Sequence, residues 1–297
     1  MANDSESWSN SARQGLAARV IKGASWVFAG SVAARVLKLV KMVVLARLLV
    51  PEDFGLFGVI MLTIASVQTF SATGFRTALV QKQGDTEKYL DTAWTMQIIR
   101  AIGMGAILFL AAPAVASFFE DARVTALLRV MSVGVALRGF SNIGVVYFRR
   151  DLKFRRAFIH NSGAQIVSVI VAVVLGFALR SVWALIWAEL AASVARAVFS
   201  YMVHPYRPSL KLDMQQCREL FGYGRWVLAS GVLVFVATQG DDAILGKVLG
   251  VTALGVYQMA YRLASLPATQ ITHVVSTATF PAYAKLKADL ARFRAGY

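Results

Sequence analysis

Long apolar runs separated by short polar loops dominate this chain. Eight such runs occupy residues 21–49, 54–72, 92–112, 124–147, 158–179, 182–203, 221–240 and 254–280. Each approaches or exceeds the roughly 20 apolar residues a helix needs to cross a bilayer. The third and seventh are the least clean. None shows the two-residue alternation of a barrel strand. The expected fold class is therefore all-α: a polytopic membrane protein with about eight transmembrane helices.

The pattern repeats itself. Residues 26–55 (WVFAGSVAARVLKLVKMVVLARLLVPEDFG) align without a gap on 226–255 (WVLASGVLVFVATQGDDAILGKVLGVTALG). Trp26, Val27, Ala29, Val32, Val36, Leu45, Leu49 and Gly55 meet identical residues at Trp226, Val227, Ala229, Val232, Val236, Leu245, Leu249 and Gly255, and Arg47 meets Lys247. A repeated membrane unit predicts two related lobes with a binding site between them. The expected organisation is a cytoplasmic N-terminal segment over 1–20, a six-helix lobe over 21–203, an inter-lobe linker over 204–220, and the start of a second lobe over 221–297. Pro205, Pro208 and a polar run mark the linker. About five apolar runs follow the first copy and one follows the second, so the second lobe is expected to be incomplete.

Composition agrees with the membrane reading. Hydrophobic residues make up 57% and charged residues 16%, against about 25% charged in a soluble domain. Residues 1–20 are polar and lack the apolar core of a cleaved signal peptide. The single cysteine, Cys217, excludes an intramolecular disulfide and a multi-cysteine metal site. His160, His204 and His273 are scattered without metal-ligand spacing. No metal or cofactor is expected.

The net charge of +15 is not read as a nucleic-acid footprint, because much of the excess lies in loops between spans. Nineteen basic residues fall in the N-terminus, the loops 74–90, 148–156 and 204–225, and the tail; five (Arg47, Arg123, Arg129, Arg180 and Lys247) fall on the other side. Lys and Arg favour cytoplasmic loops, so the N-terminus is expected in the cytoplasm.

Seven basic residues lie inside the predicted spans: Arg35, Lys38, Lys41, Arg100, Arg138, Arg196 and Arg262. Charge in hydrocarbon is costly and usually faces a cavity or a partner. Arg35, Lys38 and Lys41 occupy a face about 120° wide on the first span. Arg35 is the deepest of the three, and Lys41 lies near enough to its span end to reach the interface by snorkelling. A cationic cavity suits an anion: guanidinium forks clamp phosphate oxygens and ammonium groups add point charges. Lys41 aligns with Asp241 in the repeat, placing opposite charges at equivalent positions. Asp241 and Asp242 are candidates for pairing with a basic residue and for binding a coupling cation or proton; the competing reading makes Gln239–Asp242 a wet break near the interface. Glu189 is expected to pair with an intramembrane arginine. Tyr257 and Tyr261 share a helix face beside Arg262, either to stack on sugar faces or to pack in an interfacial belt. No phosphate-binding loop, Gly-x-Ser-x-Gly or His-Glu-x-x-His motif appears, so neither direct ATP drive nor an enzyme is expected.

Several stretches carry a family resemblance: ARLLVPEDFGLFGVI (46–60), GFRTALVQK (74–82), LFGYGRW (220–226), DDAILGKVLGVTALGVYQMAYRLASLP (241–267) and FPAYAKLKADLARFRAGY (280–297). The chain resembles, from about residue 14 onward, bacterial polysaccharide transporters of the Wzx-type flippase branch, whose superfamily also holds multidrug exporters and the lipid II flippase. The resemblance implies two six-helix lobes, alternating access, and export of undecaprenyl-pyrophosphate-linked oligosaccharide across the bacterial inner membrane for O-antigen, exopolysaccharide or capsule. It implies that Arg35, Lys38 and Lys41 meet pyrophosphate or acidic sugars. Membrane lipids, a polysaccharide polymerase and export machinery are the implied partners. Family members have twelve or more spans, so the chain reads as truncated, with transport by it alone in doubt. Two other readings stand beside this one: a drug or small-solute exporter of the same fold, and a non-transporting membrane partner in a polysaccharide assembly complex.

Overall fold

The computed structural model describes residues 36–71, 89–146, 154–261 and 263–265. Among these residues every regular element is helical. Helix α1 covers 36–48, α2 Pro51–Phe70, α3 Leu90–Phe118 and α4 Arg123–Arg138; a 3-10 turn follows at Ile143–Val146. Helix α5 covers Phe154–Leu179, α6 Trp183–Val203, α7 Met214–Val248, and α8 250–261 with 263–265 also helical. Among the described residues, four stretches are long and apolar enough to cross a membrane: Pro51–Phe70, Leu90–Phe118, Phe158–Leu179 and Trp183–Val203.

Two predicted spans differ from the helices observed. The fourth, expected over 124–147, is α-helical only to Arg138. The chain turns at Gly139–Ser141, where the Gln97 amide donates to the carbonyl oxygens of Gly139 and Ser141 at 2.8 and 3.0 Å. The seventh, expected over 221–240, is a 35-residue helix that begins inside the predicted linker. The wet break at Gln239–Asp242 is not formed. Both acids stay on an unbroken helix because α8 supplies their donors: Tyr257 Oη to Asp241 at 2.6 Å and Gln258 Nε2 to Asp242 at 2.8 Å.

Helix α2 is the central element, with Asp53–Ile60 buried on every side and Leu56, Val59 and Ile60 fully enclosed. Lipid tails are as apolar as leucine, so such packing rests on close van der Waals fit rather than on escape from water. Small residues provide the fit. Gly105 of α3 lies against Ser132 of α4, and Gly176 of α5 against Leu45 of α1.

Among the described glycines, the closest approach joins the two copies of the repeat. A Cβ added to Gly55 would lie 1.8 Å from the Val251 carbonyl oxygen, and one added to Gly255 would lie 2.1 Å from that of Pro51. One step along the same crossing, Gly58 meets the side chain of Gln258. Helices α2 and α8 thus cross backbone to backbone at reciprocal repeat positions.

The PEDFG turn explains how this crossing is held. Pro51 starts α2 where no intrahelical N–H is needed, and Glu52 and Asp53 complement the helix dipole. Asp53, buried, accepts the Val50 N–H at 3.2 Å and the Val182 N–H at 2.9 Å, joining three segments. Arg123 pairs with Glu52 and, at 2.7 Å, with Asp121. Lys247 pairs with Glu120 at 2.7 Å and lies over the Phe118 ring at 5.4 Å. Four inter-helix turns therefore meet at one end of the molecule. The Lys247 ammonium draws the Glu120 carboxyl below its usual range, and the Arg123 guanidinium does the same for Asp121.

The opposite end gathers around Asp91. Its carboxylate accepts the Tyr206 hydroxyl, the Ser209 N–H at 3.0 Å and the Ser209 hydroxyl at 2.6 Å, with Lys211 Nζ at 3.4 Å. Asn142 Nδ2 donates to the Tyr206 carbonyl at 2.6 Å. The segment 204–213 is thus fastened to α3 and to the turn after α4.

Candidate substrate cavity

A cavity of about 420 Å³ lies between α1, α2, α5, α6 and residue 265 of the eighth helix. Leu45, Phe54 and Leu185 line it near the four-turn end; Lys38 and Ser265 line it farther along, with Lys41, Gln165 and Glu189 between. Its walls are apolar and aromatic apart from these few polar groups, as suits a small-molecule site. At 1.5 Å per residue, Lys38 stands about 15 Å along α1 from the helix end at the turns.

The polar groups form a chain of contacts. Lys41 Nζ donates to Ser168 Oγ at 3.0 Å and stands 3.4 Å from Glu189 Oε1. The other carboxylate oxygen, Oε2, is 3.7 Å from Arg138 Nη2. Arg138 Nε in turn donates to Ser193 Oγ at 2.9 Å. Glu189, Ser193 and Arg196 recur at helical spacing on α6, so one face of that helix carries the carboxylate, a hydroxyl and another cation. The Lys41 side chain is 12% exposed and that of Glu189 25%. Among the described residues Lys38 has no ion-pair partner, and it is exposed at the cavity edge.

The structure brings Lys38 and Lys41 to the cavity and leaves Tyr257, Tyr261, Asp241 and Asp242 away from it. Lys41 does not snorkel; it points inward because Ser168 and Glu189 offer it partners there. Arg35 and Arg262 lie outside the described residues. Tyr257 and Tyr261 stack with ring centroids 6.0 Å apart, but neither lines the cavity. Asp241 and Asp242 bond to α8 instead, so Lys41 and Asp241, equivalent in the repeat, do not share this site. Glu189 pairs with an intramembrane arginine as the sequence leads one to expect, and that arginine is Arg138; its second partner Lys41, and any role for Ser168 or Gln165, carry no signal in the sequence. The Glu189–Ser193–Arg196 spacing was a usable signal; the partners across the bundle were not.

Comparison with known proteins places the chain. A family model described as "Polysaccharide biosynthesis protein" matches residues 44–297. The chain belongs to the polysaccharide biosynthesis protein family. The chain is similar to the teichuronic acid biosynthesis protein TuaB of Bacillus subtilis, at 20% identity over 94% of this chain and 58% of the relative. It is similar to the lipopolysaccharide biosynthesis protein WzxC of Escherichia coli, at 23% identity over 94% of this chain and 57% of the relative. The succinoglycan biosynthesis transport protein ExoT of Rhizobium meliloti is 24% identical over 86% of this chain and 52% of its own length. The chain therefore spans a little over half the length of these relatives. Its fold matches a solved multidrug resistance MATE family transporter of the MOP superfamily in an inward-facing conformation, with TM-score 0.59 and 18% identity, covering 84% of this chain and 62% of that one. The family and the apolar helices make it a multi-pass membrane protein.

Proposed function

We propose that this polysaccharide biosynthesis protein takes part in moving an undecaprenyl-diphosphate-linked oligosaccharide across the bacterial inner membrane, with its N-terminus in the cytoplasm. The observation that carries this reading is the cavity itself. Lys38 and Lys41 stand at its wall, Arg138 lies behind Glu189, and apolar helices line the rest. Two ammonium groups at helical spacing suit a diphosphate. The same charges repel lipophilic cations, which disfavours a cationic-drug exporter.

Two related helical units meeting at the Gly55–Gly255 crossing support a rocking mechanism. The four-turn end is the closed side in this arrangement, held by Lys247–Glu120 and the glycine contact. The basic segment 204–213 lies at the other end, which we read as the cytoplasmic one. The cargo enters from there, its diphosphate at the lysines, and leaves when the crossing opens. The carboxylates Asp241 and Asp242 remain candidates for a coupling cation on α7. A polymerase and the export machinery are the expected partners downstream.

Complementation tests the proposal. A strain lacking its own exporter is given this sequence, alone and joined to the C-terminal half of a relative, and surface polysaccharide is measured against protein level. Rescue that is lost with Lys41→Ala and reduced with Lys38→Ala is the expected result. Full rescue by the double variant contradicts the reading.

A further inference from the structure

We infer that Glu189 sets the charge the cavity accepts: it is a resident counter-ion that makes Lys41 available only to an anion already held by Lys38, which selects diphosphates over single anionic groups. The inference rests on the proposed reading of the cavity as an anion site and names the residue that makes it selective.

The two lysines are unequal. They lie three positions apart on α1, so their stems start about 5–6 Å from each other, within reach of one bridging diphosphate. Lys38 is exposed at the cavity edge and, among the described residues, has no ion-pair partner. Lys41 is largely enclosed and already engaged by Ser168 at 3.0 Å and Glu189 at 3.4 Å. Glu189 is itself anchored from behind, its second oxygen 3.7 Å from Arg138.

Consider a single anion. At Lys38 it forms an exposed pair, worth little in water. At Lys41 it displaces Glu189 and exchanges one carboxylate-like contact for another. The displaced carboxylate stays a few ångströms away beside Arg138 and repels it. Neither position yields tight binding. A diphosphate is different, because its two groups act together. One occupies Lys38, and the linkage delivers the other to Lys41 without a second binding step. Glu189 moves toward Arg138 as before, and the second linked contact offsets its repulsion. With Glu189 drawn to Arg138, a bridging diphosphate meets two ammonium groups at the cavity wall, Lys38 and Lys41.

The test is binding to the full chain, purified in detergent, by calorimetry. The probes are inorganic phosphate, inorganic pyrophosphate and a short prenyl diphosphate. The wild type is expected to favour pyrophosphate over phosphate by at least about tenfold, and Glu189→Gln to tighten phosphate binding by about tenfold and narrow the preference, since one partly desolvated pair is released. A residue that merely supports the fold does not improve binding when removed. Glu189→Asp, which keeps the charge, is expected to keep the preference; if Glu189→Gln fails to give a monodisperse protein, loss of preference in Glu189→Asp/Arg138→Gln serves instead. An unchanged ratio in both variants overturns the inference. If Lys41→Ala abolishes pyrophosphate binding while Glu189→Gln leaves the ratio unmoved, the role of Glu189 alone falls. If the wild type binds neither inorganic anion nor the prenyl diphosphate, the anion site falls with it. Tighter binding of the prenyl form assigns the diphosphate to a lipid carrier; tighter binding of the inorganic form overturns the lipid-borne cargo and leaves the selectivity of Glu189 standing.

Discussion

Gly55 and Gly255, equivalent positions of the internal repeat, pack against each other across the crossing of α2 and α8. A Cβ on Gly255 would stand 2.7 Å from the Gly55 nitrogen and 3.1 Å from its Cα. Each glycine also faces the carbonyl four residues before the other, at Val251 and Pro51. Reciprocity of this kind is what a local twofold relation between the copies produces. It places a backbone-to-backbone contact where two related units are proposed to rock.

Replacing either glycine with alanine forces the helices apart. Gly55→Ala and Gly255→Ala are expected to destabilise the protein by about 1–3 kcal/mol, the usual cost of overpacking. Gly103 on α3 is the control: an added Cβ there meets nothing within 4 Å, and Gly103→Ala is expected to be neutral or to stabilise by about 0.5–1 kcal/mol. Thermal unfolding in detergent separates the two outcomes. Equal melting temperatures for Gly55→Ala and Gly103→Ala would show that the helices do not meet as described.

The four-turn end should loosen in acid. Lys247, by hydrogen bond and by charge, lowers the Glu120 carboxyl below its ordinary value of 4.5, and Arg123 lowers Asp121 below 3.8. A carboxyl with a lowered value stabilises the closed end fully above its ordinary value, and that contribution disappears as pH falls through the lowered one. Spin labels at the exposed positions Ala122 and Leu249 are expected to give a narrow distance distribution at about pH 7 and a broader one at about pH 3. Glu120→Gln should broaden it at neutral pH.

Asp91 fastens the segment 204–213 through Tyr206, Ser209 and Lys211. Asp91→Ala removes the shared acceptor and is expected to cost about 1–3 kcal/mol, with faster proteolytic cleavage within 204–213. Limited proteolysis followed by mass spectrometry reads the site. Cleavage at the wild-type rate would mean that the segment is held by other contacts.

Cys217, the single cysteine, lies in the first turn of α7 and reports on orientation. The proposed orientation, with the N-terminus in the cytoplasm, puts Cys217 on the cytoplasmic side. An impermeant thiol reagent should label it only after the inner membrane is opened. Labelling in cells with only the outer membrane permeabilised would reverse the topology.

The helices were legible in the sequence because apolar runs of membrane-spanning length have few alternatives. The α2 start was legible from Pro51, Glu52 and Asp53. The unbroken α7 was not. Gly240 beside two acids reads locally as a helix end, and the groups that keep it helical, Tyr257 and Gln258, come from the next helix. The repeat identified Gly55 and Gly255 as equivalent without showing that they touch, since equivalence alone fixes no axis between the copies. Lys38 and Lys41 were found as charges in an apolar run. Their inequality depends on Ser168 and Glu189, more than 120 residues away in sequence. Asp91 carried no local signal, because its partners lie on a segment that reaches it only in the folded bundle.

The central claim is that the lysine-lined cavity holds a diphosphate-linked lipid oligosaccharide. Photo-crosslinking in cells tests it most directly, with a photoreactive residue at Leu39 in the cavity wall or at Val43, exposed on the same helix. The account predicts an adduct containing lipid-linked oligosaccharide from position 39, little from position 43, and loss of the first in a Lys41→Ala background. Equal adducts from the two positions, or an adduct at 39 indifferent to Lys41→Ala, would contradict it.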